Sequence, residues 1–232
     1  MKIGKRLSAI KQHARLHHYD HIWDCCCDHG LLGMSIIDSS IQVHFVDIVP
    51  DIIESLQNTL EKHFPINDRS DRHWTTHCTD TKQLPLKNYA DQRHLVVIAG
   101  VGGDLTTELV EQLTQANKGL SIDFLLCPVR HLLELRTRLA ELEFKMVKES
   151  LVEENRRIYE VMLISQSGRH TSDYPAISHI GEQIWHYDSE EEKRIALRYA
   201  NQTIKYYENK NKSAQADEPL KHFKQIKTRL CS

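Results

Sequence analysis

The chain has 232 residues, of which 40% are hydrophobic and 27% charged, and its formal net charge is −2 at pH 7. This length favours one α/β domain with a full core and a smaller appendage. No window reaches the run of about 18 apolar residues that a membrane helix needs, and the near-neutral charge argues against simple coating of nucleic acid. We therefore expect a protein that is not embedded in a membrane.

The N-terminal segment is basic but has neither the apolar core nor the small-residue cleavage site of a secretory signal. The six cysteines, three of them adjacent at Cys25–Cys27, show no framework spacing and are predicted to be free thiols. Both features predict a cytoplasmic protein.

Along the first 130 residues, short apolar runs alternate with stretches of helical period, the pattern of parallel βαβ units. Strands are predicted near Ile22 to Cys27, Val43 to Asp47, His73 to Cys78, Leu95 to Ala99 and Ile122 to Cys127. The connecting helices are predicted to begin around Leu31, Pro50, Gly103 and Val129.

Two further β-rich segments, Glu143 to Val152 and Arg157 to Ser165, are separated by a four-residue turn and must pair antiparallel. Five alternating β/α units that end in an antiparallel hairpin predict the doubly wound, Rossmann-like sheet of the class I methyltransferases. A nicotinamide dehydrogenase would more often continue with a sixth parallel strand.

Beyond the hairpin, Ser167 to Pro175 is predicted to be a linker, and helices are predicted around Glu190 to Glu208 and from Pro219 to Leu230. The apolar stripe of the last helix is expected to pack only on the helix before it, as an antiparallel helical hairpin. The prediction is a catalytic domain with a basic N-terminal helix over residues 1–168 and a linker with a C-terminal helical tail over residues 169–232. From residue 188 onward ten Lys/Arg face seven Asp/Glu, so the tail is a candidate surface for RNA phosphates.

The turn after the first strand is the most informative segment. Asp24 lies toward the end of that strand, and Asp28–Gly30 forms a tight turn before a helix. In a doubly wound sheet a nucleotide enters this crevice, where an acid can bind an ammonium group and backbone N–H groups a carboxylate. Taken alone the motif is weak, because Cys26 and Asp28 stand where a repeated glycine pattern would have glycine.

Acids follow the next two strands as well. Asp47 can accept hydrogen bonds from both ribose hydroxyls, and Asp80 can accept one from an adenine amino group. Each alone is more often an ordinary loop acid, but three acids after three successive strands favour a cofactor site. The glycine-rich loop Gly100–Gly103 permits either close approach of a ligand or tight strand–helix packing.

The elements DCCCDHG, VVIAGVGG and RRIYEVMLI, together with the opening Lys5-Arg6-Leu7, resemble the bacterial TrmK-type tRNA adenine-N1 methyltransferases in order and spacing. The resemblance covers essentially the whole chain. It implies transfer of a methyl group from S-adenosylmethionine to N1 of adenine 22 in the D-arm of tRNA, with tRNA as the partner and no metal.

The residue patterns and the resemblance together imply three sets of site residues. Cofactor binding is expected from Asp24, Cys26, His29, Gly30, Asp47, Ile48, Asp80, Gly100 and Val101. Substrate contacts are expected from Arg6, whose fork of donors suits phosphate, and from Gly102, Gly103, Pro128 and Arg130. Asp28 is the candidate for favouring the cationic product, with Asp104 second; orienting the cofactor is the alternative role for Asp28.

The sequence departs from the family pattern at two places. Cys26 stands where the family has glycine, and Cys127-Pro128-Val129 replaces a Gln-Pro-Asn-like segment. Cys26 therefore needs a negative φ or costs about 1 kcal/mol.

Several alternatives remain open at this point. One is a methyltransferase acting on a small molecule or a protein, and another is a cofactor-binding or RNA-binding protein that has lost catalysis. A zinc site built from the cysteines and histidines is disfavoured, because adjacent strand residues point to opposite faces and no Cys-x₂-Cys pair is present.

Overall fold

The computed structural model describes residues 3–38, 40–65, 73–166, 173–210 and 217–231. Its centre is a seven-stranded sheet with the order β3-β2-β1-β4-β5-β7-β6. The strands are β1 (His21–Cys25), β2 (Gln42–Asp47), β3 (Trp74–Cys78), β4 (His94–Ala99), β5 (Ile122–Cys127), β6 (Lys145–Glu154) and β7 (Arg157–Ser165). The first five are parallel, and β7 runs antiparallel to both β5 and β6. The predicted doubly wound sheet with its terminal hairpin is thus confirmed.

Seven α-helices accompany the sheet in the described ranges. They are α1 (Lys5–Ala14), α2 (Leu31–Ile36), α3 (Pro50–His63), α4 (Gly103–Ala116), α5 (Leu132–Glu141), α6 (Glu190–Lys210) and α7 (Asp217–Cys231). Pro50 occupies the first turn of α3, where its missing N–H costs nothing. No helix of the described chain combines the length and the hydrophobicity needed to cross a membrane.

The prediction of β6 as Glu143 to Val152 was wrong by two residues at each end, and two boundaries at the carboxyl ends of strands were wrong as well. β1 ends at Cys25 rather than Cys27, because Cys26 adopts a left-handed φ of 55° that an extended strand cannot contain. The helix after β5 begins at Leu132 rather than near Val129, because His131, with φ of 59°, is its N-cap. In both cases the chain turns sharply at the carboxyl end of a strand.

The sheet is buried on both faces, as expected for parallel strands. Neighbouring β1 residues illustrate this: Ile22 belongs to the cluster beneath α1, α2 and α3, whereas Trp23 belongs to the cluster beneath α4 and α5. The carboxyl ends of β1, β2, β4 and β5 therefore emerge together at one edge of a rigid layer.

The C-terminal helices form the predicted hairpin, with Phe223 of α7 beside Tyr207 of α6. The expectation that the stripe of α7 packs only on α6 was wrong, because Trp185, which precedes both helices, lies edge-on to Phe223 with ring centroids 6.0 Å apart. Helix α6 also contacts the sheet, where the Tyr199 hydroxyl donates a hydrogen bond to the buried Glu160 of β7. Arg136 of α5 donates to the same carboxylate at 2.8 Å, so α5, α6 and the terminal hairpin share one ionic network. The predicted boundary between residues 168 and 169, and residues 167–172 of the predicted linker, lie outside the described residues.

A chain of three histidines crosses strands β1, β2 and β3 on the face beneath α4. His44 is fully buried, and its ring nitrogens lie 2.8 Å from the Nδ1 of His21 and 2.9 Å from the Nε2 of His77. The indole of Trp23 stacks on His44 with ring centroids 3.7 Å apart. Burial and the neighbouring histidines lower the pKa of His44 to about 2. The folded protein therefore holds His44 neutral.

Stability should consequently fall in acid. The pKa of His44 lies below that of an unfolded histidine, about 6.5, so below pH 6.5 the unfolded chain binds a proton that the folded chain excludes. Each such histidine lowers the free energy of unfolding by about 1.4 kcal/mol per pH unit. Urea denaturation between pH 5 and pH 8 measures the free energy of unfolding. Its decline toward pH 5 should be shallower in His44→Asn than in the wild type.

The exposed His222 supplies the control for this comparison. His222→Asn should leave the decline unchanged. Equal slopes for His44→Asn and the wild type would contradict the assignment of a neutral buried His44.

Candidate active site

A cavity of about 470 Å³ opens at the carboxyl ends of β1 and β4, and we call it the cleft. One side is the turn after β1, the opposite side is the loop after β4, and α1 and β7 close the end. The lining residues are Arg6, Leu7, Asp24, Cys26, Cys27, Asp28, His29, Leu31, Leu32, Ala99, Gly100, Val101, Val129, Arg157 and Tyr159. Its volume lies within the range of small-ligand sites, about 300–1,000 Å³.

The turn after β1 is built from left-handed residues. Cys26, Asp28 and Gly30 have φ values of 55°, 48° and 64°. A Cβ at Gly30 would lie 2.6 Å from the side chain of Leu56, so both the conformation and the packing require glycine there. Asp28 and His29 remain exposed toward the cleft. The turn thus presents backbone and carboxylate groups to a ligand at the start of α2.

Asp24 is the most buried acid of the cleft, with 5% of its surface exposed. One carboxylate oxygen accepts a hydrogen bond of 2.9 Å from the backbone N–H of Gly33. Burial nevertheless raises the pKa of Asp24 to about 7. A cation bound in the cleft would favour the ionised form, so Asp24 is suited to an ammonium group.

The acids after the next strands converge on the same turn. Asp47 accepts hydrogen bonds from the backbone N–H groups of Val49 at 3.1 Å and Asp28 at 3.4 Å, which joins the ends of β1 and β2. Asp80 caps the short turn after β3 by accepting from the N–H of Lys82 at 2.9 Å. Burial, and then the negative charges of Asp47, Asp24 and Asp80, raise the pKa of the Cys26 thiol. The structure therefore brings the three predicted acids around Cys26.

The surface next to Asp47, outside the residues that line the cleft, is apolar. Ile48 follows Asp47 directly and leaves 65% of its surface exposed. An exposed apolar side chain next to a hydrogen-bonding acid offers one flat contact and one polar contact, which suits a heterocycle attached to a sugar.

The glycine loop after β4 has two separate roles. Gly100, with φ of 87°, faces the cleft, where an added Cβ would have only the Arg6 guanidinium near it, at 3.9 Å. A Cβ at Gly103 would lie 2.4 Å from the carbonyl oxygen of His131. Gly103 thus serves packing, and Gly102 likewise lies against the Arg130 side chain. Only the first half of the predicted loop lines the cleft.

Asp104 is not among the residues that line the cleft. Its side chain is 68% exposed and its Oδ2 lies 2.5 Å from the Nδ1 of His131. A catalytic acid has to touch the reacting atoms, so the structure does not support that role for Asp104. Pro128 is buried. The N–H of the next residue, Val129, donates to the carbonyl of Val101 at 2.9 Å.

Arg6, which is predicted to hold substrate phosphates, lines the cleft. Its guanidinium lies 5.1 Å from the ring centre of Tyr159, at the end of the cleft. Its backbone N–H donates to Glu154, and its buried Nε has no hydrogen-bond partner within the described residues. Arg6 therefore adds a cation to the cleft itself.

Sequence reasoning missed Tyr159 and Arg157 as cleft residues. Because β7 is antiparallel to β5, its first residues lie at the carboxyl end of the sheet. The motif RRIYEV marked this strand, but without the strand order nothing in it indicated which end reaches the site.

The strain at Cys26 generates a stability prediction. Cys26→Gly removes a left-handed penalty of about 1 kcal/mol and adds a cost in chain entropy of about 0.5–1 kcal/mol. The two nearly cancel, so the free energy of unfolding should stay almost unchanged. The neighbouring Cys27 is buried and has no positive φ, so Cys27→Gly should lower the free energy of unfolding by about 1 kcal/mol or more. Urea denaturation of both variants compares them directly. Equal destabilisation by the two substitutions would show that Cys26 is not strained.

The sequence matches a known protein family over most of its length. Residues 3–162 match the family described as "Methyltransferase domain". A Mycoplasma pneumoniae protein named "Putative tRNA methyltransferase" is 26% identical over 203 residues, which are 86% of this chain and 88% of that protein.

Solved structures share the fold over nearly the whole chain. Streptococcus pneumoniae Sp1610, described as "a putative tRNA (m1A22) methyltransferase", has a TM-score of 0.74 and 17% identity over 97% of this chain and 100% of its own. TrmK of M. capricolum, solved with S-adenosylhomocysteine, has a TM-score of 0.69 and 13% identity over 100% and 99% of the two chains. Since the family match spans more than half of its residues and the cleft lies within that span, the chain belongs to the methyltransferase domain family.

Proposed function

We propose that this chain transfers a methyl group from S-adenosylmethionine to N1 of an adenine in tRNA, at position 22 of the D-arm. The observation that carries the proposal is the cleft at the ends of β1 and β4, with acids on one side and an open glycine loop on the other. The tRNA methyltransferase names of the M. pneumoniae and S. pneumoniae proteins support the choice of substrate.

The residues of the cleft, together with Asp47, Ile48 and Asp80 at the strand ends beside it, suit this cofactor. Asp24 would bind the ammonium group of the methionine part, and the left-handed turn around Asp28 would face its carboxylate. Asp47 would accept from the ribose hydroxyls, with Ile48 and Asp80 beside the adenine. Of the remaining predicted contacts, Cys26, His29, Gly100 and Val101 line the cleft, whereas Gly30 is buried and supports the turn.

Bound S-adenosylmethionine supplies an already activated methyl group. The protein therefore has to align the acceptor nitrogen and keep water away. Methylation at N1 leaves the adenine cationic, and the exposed Asp28 carboxylate at the cleft would favour that charge as it develops.

N1 lies on the Watson–Crick edge, so the adenine has to leave its stack or pair before it can react. Tyr159 offers an aromatic face at the far end of the cleft, and Arg6 offers a planar cation beside it. Both kinds of side chain stack on extruded bases in RNA complexes. We assign the acceptor base to this end of the cleft.

The tail would contact the rest of the tRNA. Lys221, Lys224 and Lys227 are exposed on α7 at intervals of three residues, which places them along one side of that helix. Phosphate contacts of this kind make binding dependent on salt. A tRNA substrate, together with six free cysteines, supports the proposal of a cytoplasmic enzyme.

The direct test is methyl transfer. Purified protein, labelled S-adenosylmethionine and unmodified tRNA should give 1-methyladenosine in the D-arm and no other labelled nucleoside. Label in cytosine, in guanine N2 or only in a small metabolite would overturn the adenine-N1 assignment while leaving the family intact. Bound cofactor with no transfer to any acceptor would indicate a protein that has lost catalysis.

Asp47→Ala should weaken cofactor binding more than folding. Loss of a charged acceptor is worth about 1.5–3 kcal/mol, which corresponds to a rise of roughly 10- to 150-fold in Kd. Calorimetric titration measures the affinity, and urea denaturation measures stability, because Asp47 also accepts from two backbone N–H groups.

Asp91 is the matched control, an exposed acid before β4 at the opposite edge of the sheet. Asp91→Ala should leave cofactor affinity unchanged. A folded Asp47→Ala variant with wild-type affinity would remove Asp47 from the site.

A further inference from the structure

A second cavity, of about 340 Å³, lies outside the cleft between the start of α5 and the two C-terminal helices. We call it the tail pocket. Its walls include Arg130, His179, Tyr199, Thr203, Tyr206 and Tyr207. Aromatic faces combined with hydroxyl groups and a cation suit a ligand that is flat and polar at its edges.

The tail pocket shares a wall with the cleft. Val129 lines the cleft, and the next residue, Arg130, lines the tail pocket. Consecutive Cα atoms are about 3.8 Å apart, so the two cavities come close to each other at the segment Val129-Arg130, which we call the ridge. A ligand longer than one ring could therefore occupy both at once.

The ridge is held rigidly by the loop after β4. The N–H of Val129 donates to the carbonyl of Val101 at 2.9 Å, and the N–H of Gly103 donates to the carbonyl of Arg130 at 2.9 Å. The adjacent His131 is pinned to Asp104 in its left-handed conformation. This arrangement gives Asp104 a supporting role and leaves the Arg130 side chain exposed on the ridge.

The floor and the mouth of the tail pocket differ. The floor contains Arg136 and Glu160. The Arg136 guanidinium donates to the Glu160 carboxylate, which also accepts from the Tyr199 hydroxyl, so these polar groups already have hydrogen-bond partners. The mouth contains Tyr206, which is 51% exposed and lies edge-on to Tyr207 with ring centroids 5.2 Å apart. An incoming ring would thus meet aromatic faces first.

We infer that the tail pocket takes the base of a nucleotide adjacent to the methylated adenine, with Arg130 holding the phosphate between the two. The inference rests on the proposed function. Proteins that read single-stranded RNA splay successive bases and stack them on aromatic side chains, and a guanidinium is suited to the linking phosphate. Two cavities divided by an arginine ridge match this arrangement.

The test uses the full-length protein and unmodified tRNA. Tyr206→Ala should weaken tRNA binding by between about five- and 150-fold, the range for one base stacked on an aromatic side chain. Tyr206→Phe keeps the ring and should bind almost as the wild type. Tyr187, which is 38% exposed and does not line the tail pocket, is the matched control, and Tyr187→Ala should have no effect.

Abasic substitutions in the tRNA identify the base. Two tRNAs are compared, one lacking the base on the 5′ side of the acceptor adenine and one lacking the base on its 3′ side. On the tRNA that lacks the base bound in the tail pocket, Tyr206→Ala should cause no further loss of affinity. Arg130→Ala should reduce the slope of binding against salt by about one unit, as expected for one phosphate contact. Cofactor affinity should remain unchanged in the Tyr206 variants.

Wild-type-like tRNA binding by Tyr206→Ala would overturn the inference, as would a loss that persists on both abasic tRNAs. If the wild type methylates tRNA while the Tyr206 variants behave normally, the tail-pocket inference fails and the proposed function stands. If the wild type neither binds nor methylates tRNA, both fail.

Discussion

The reversal of strand order between β1 and β4 is the constraint on which the site depends. β1 pairs in parallel with β2 on one side and β4 on the other. The chain therefore leaves β1 toward one side of the sheet and β4 toward the other, and a crevice remains between the two loops. The acids of the loop after β1 and Gly100 of the loop after β4 face each other because the chain leaves these two neighbouring strands toward opposite sides of the sheet.

The antiparallel hairpin supplies residues that close one end of the cleft. Insertion of β7 beside β5 carries Tyr159 to the carboxyl end of the sheet, where α1 brings Arg6 against it. At the outer side, Arg136 is 1% exposed and is balanced by Glu149 and Glu160. Removing one partner of such a buried network commonly costs about 3–5 kcal/mol. The same network fixes α6 against the hairpin, so the tail and the cleft form one framework.

The backbone of the turn after β1 is strained, and the same conformation positions the acids of the site. A left-handed φ at Cys26 and Asp28 is costly for residues with a side chain, yet it lets the turn bring Asp24, Asp47 and Asp80 around one point. Local strain of about 1–3 kcal/mol per residue persists where the surrounding packing determines the backbone. Gly30 against Leu56 and the N–H of Gly33 on Asp24 provide that packing.

By itself, the sequence determined the alternation of strands and helices, the antiparallel hairpin, the acids at or just after the ends of β1, β2 and β3, and the helical tail. Each depends on local periodicity or on a residue's place at a strand end, which the chain carries in order. Tertiary structure alone decided that Gly103 packs rather than binds, that Asp104 pairs with His131, and that Tyr159 reaches the cleft. Those outcomes depend on contacts between residues more than 20 positions apart, which periodicity cannot specify because the strand order sets which chain segments meet.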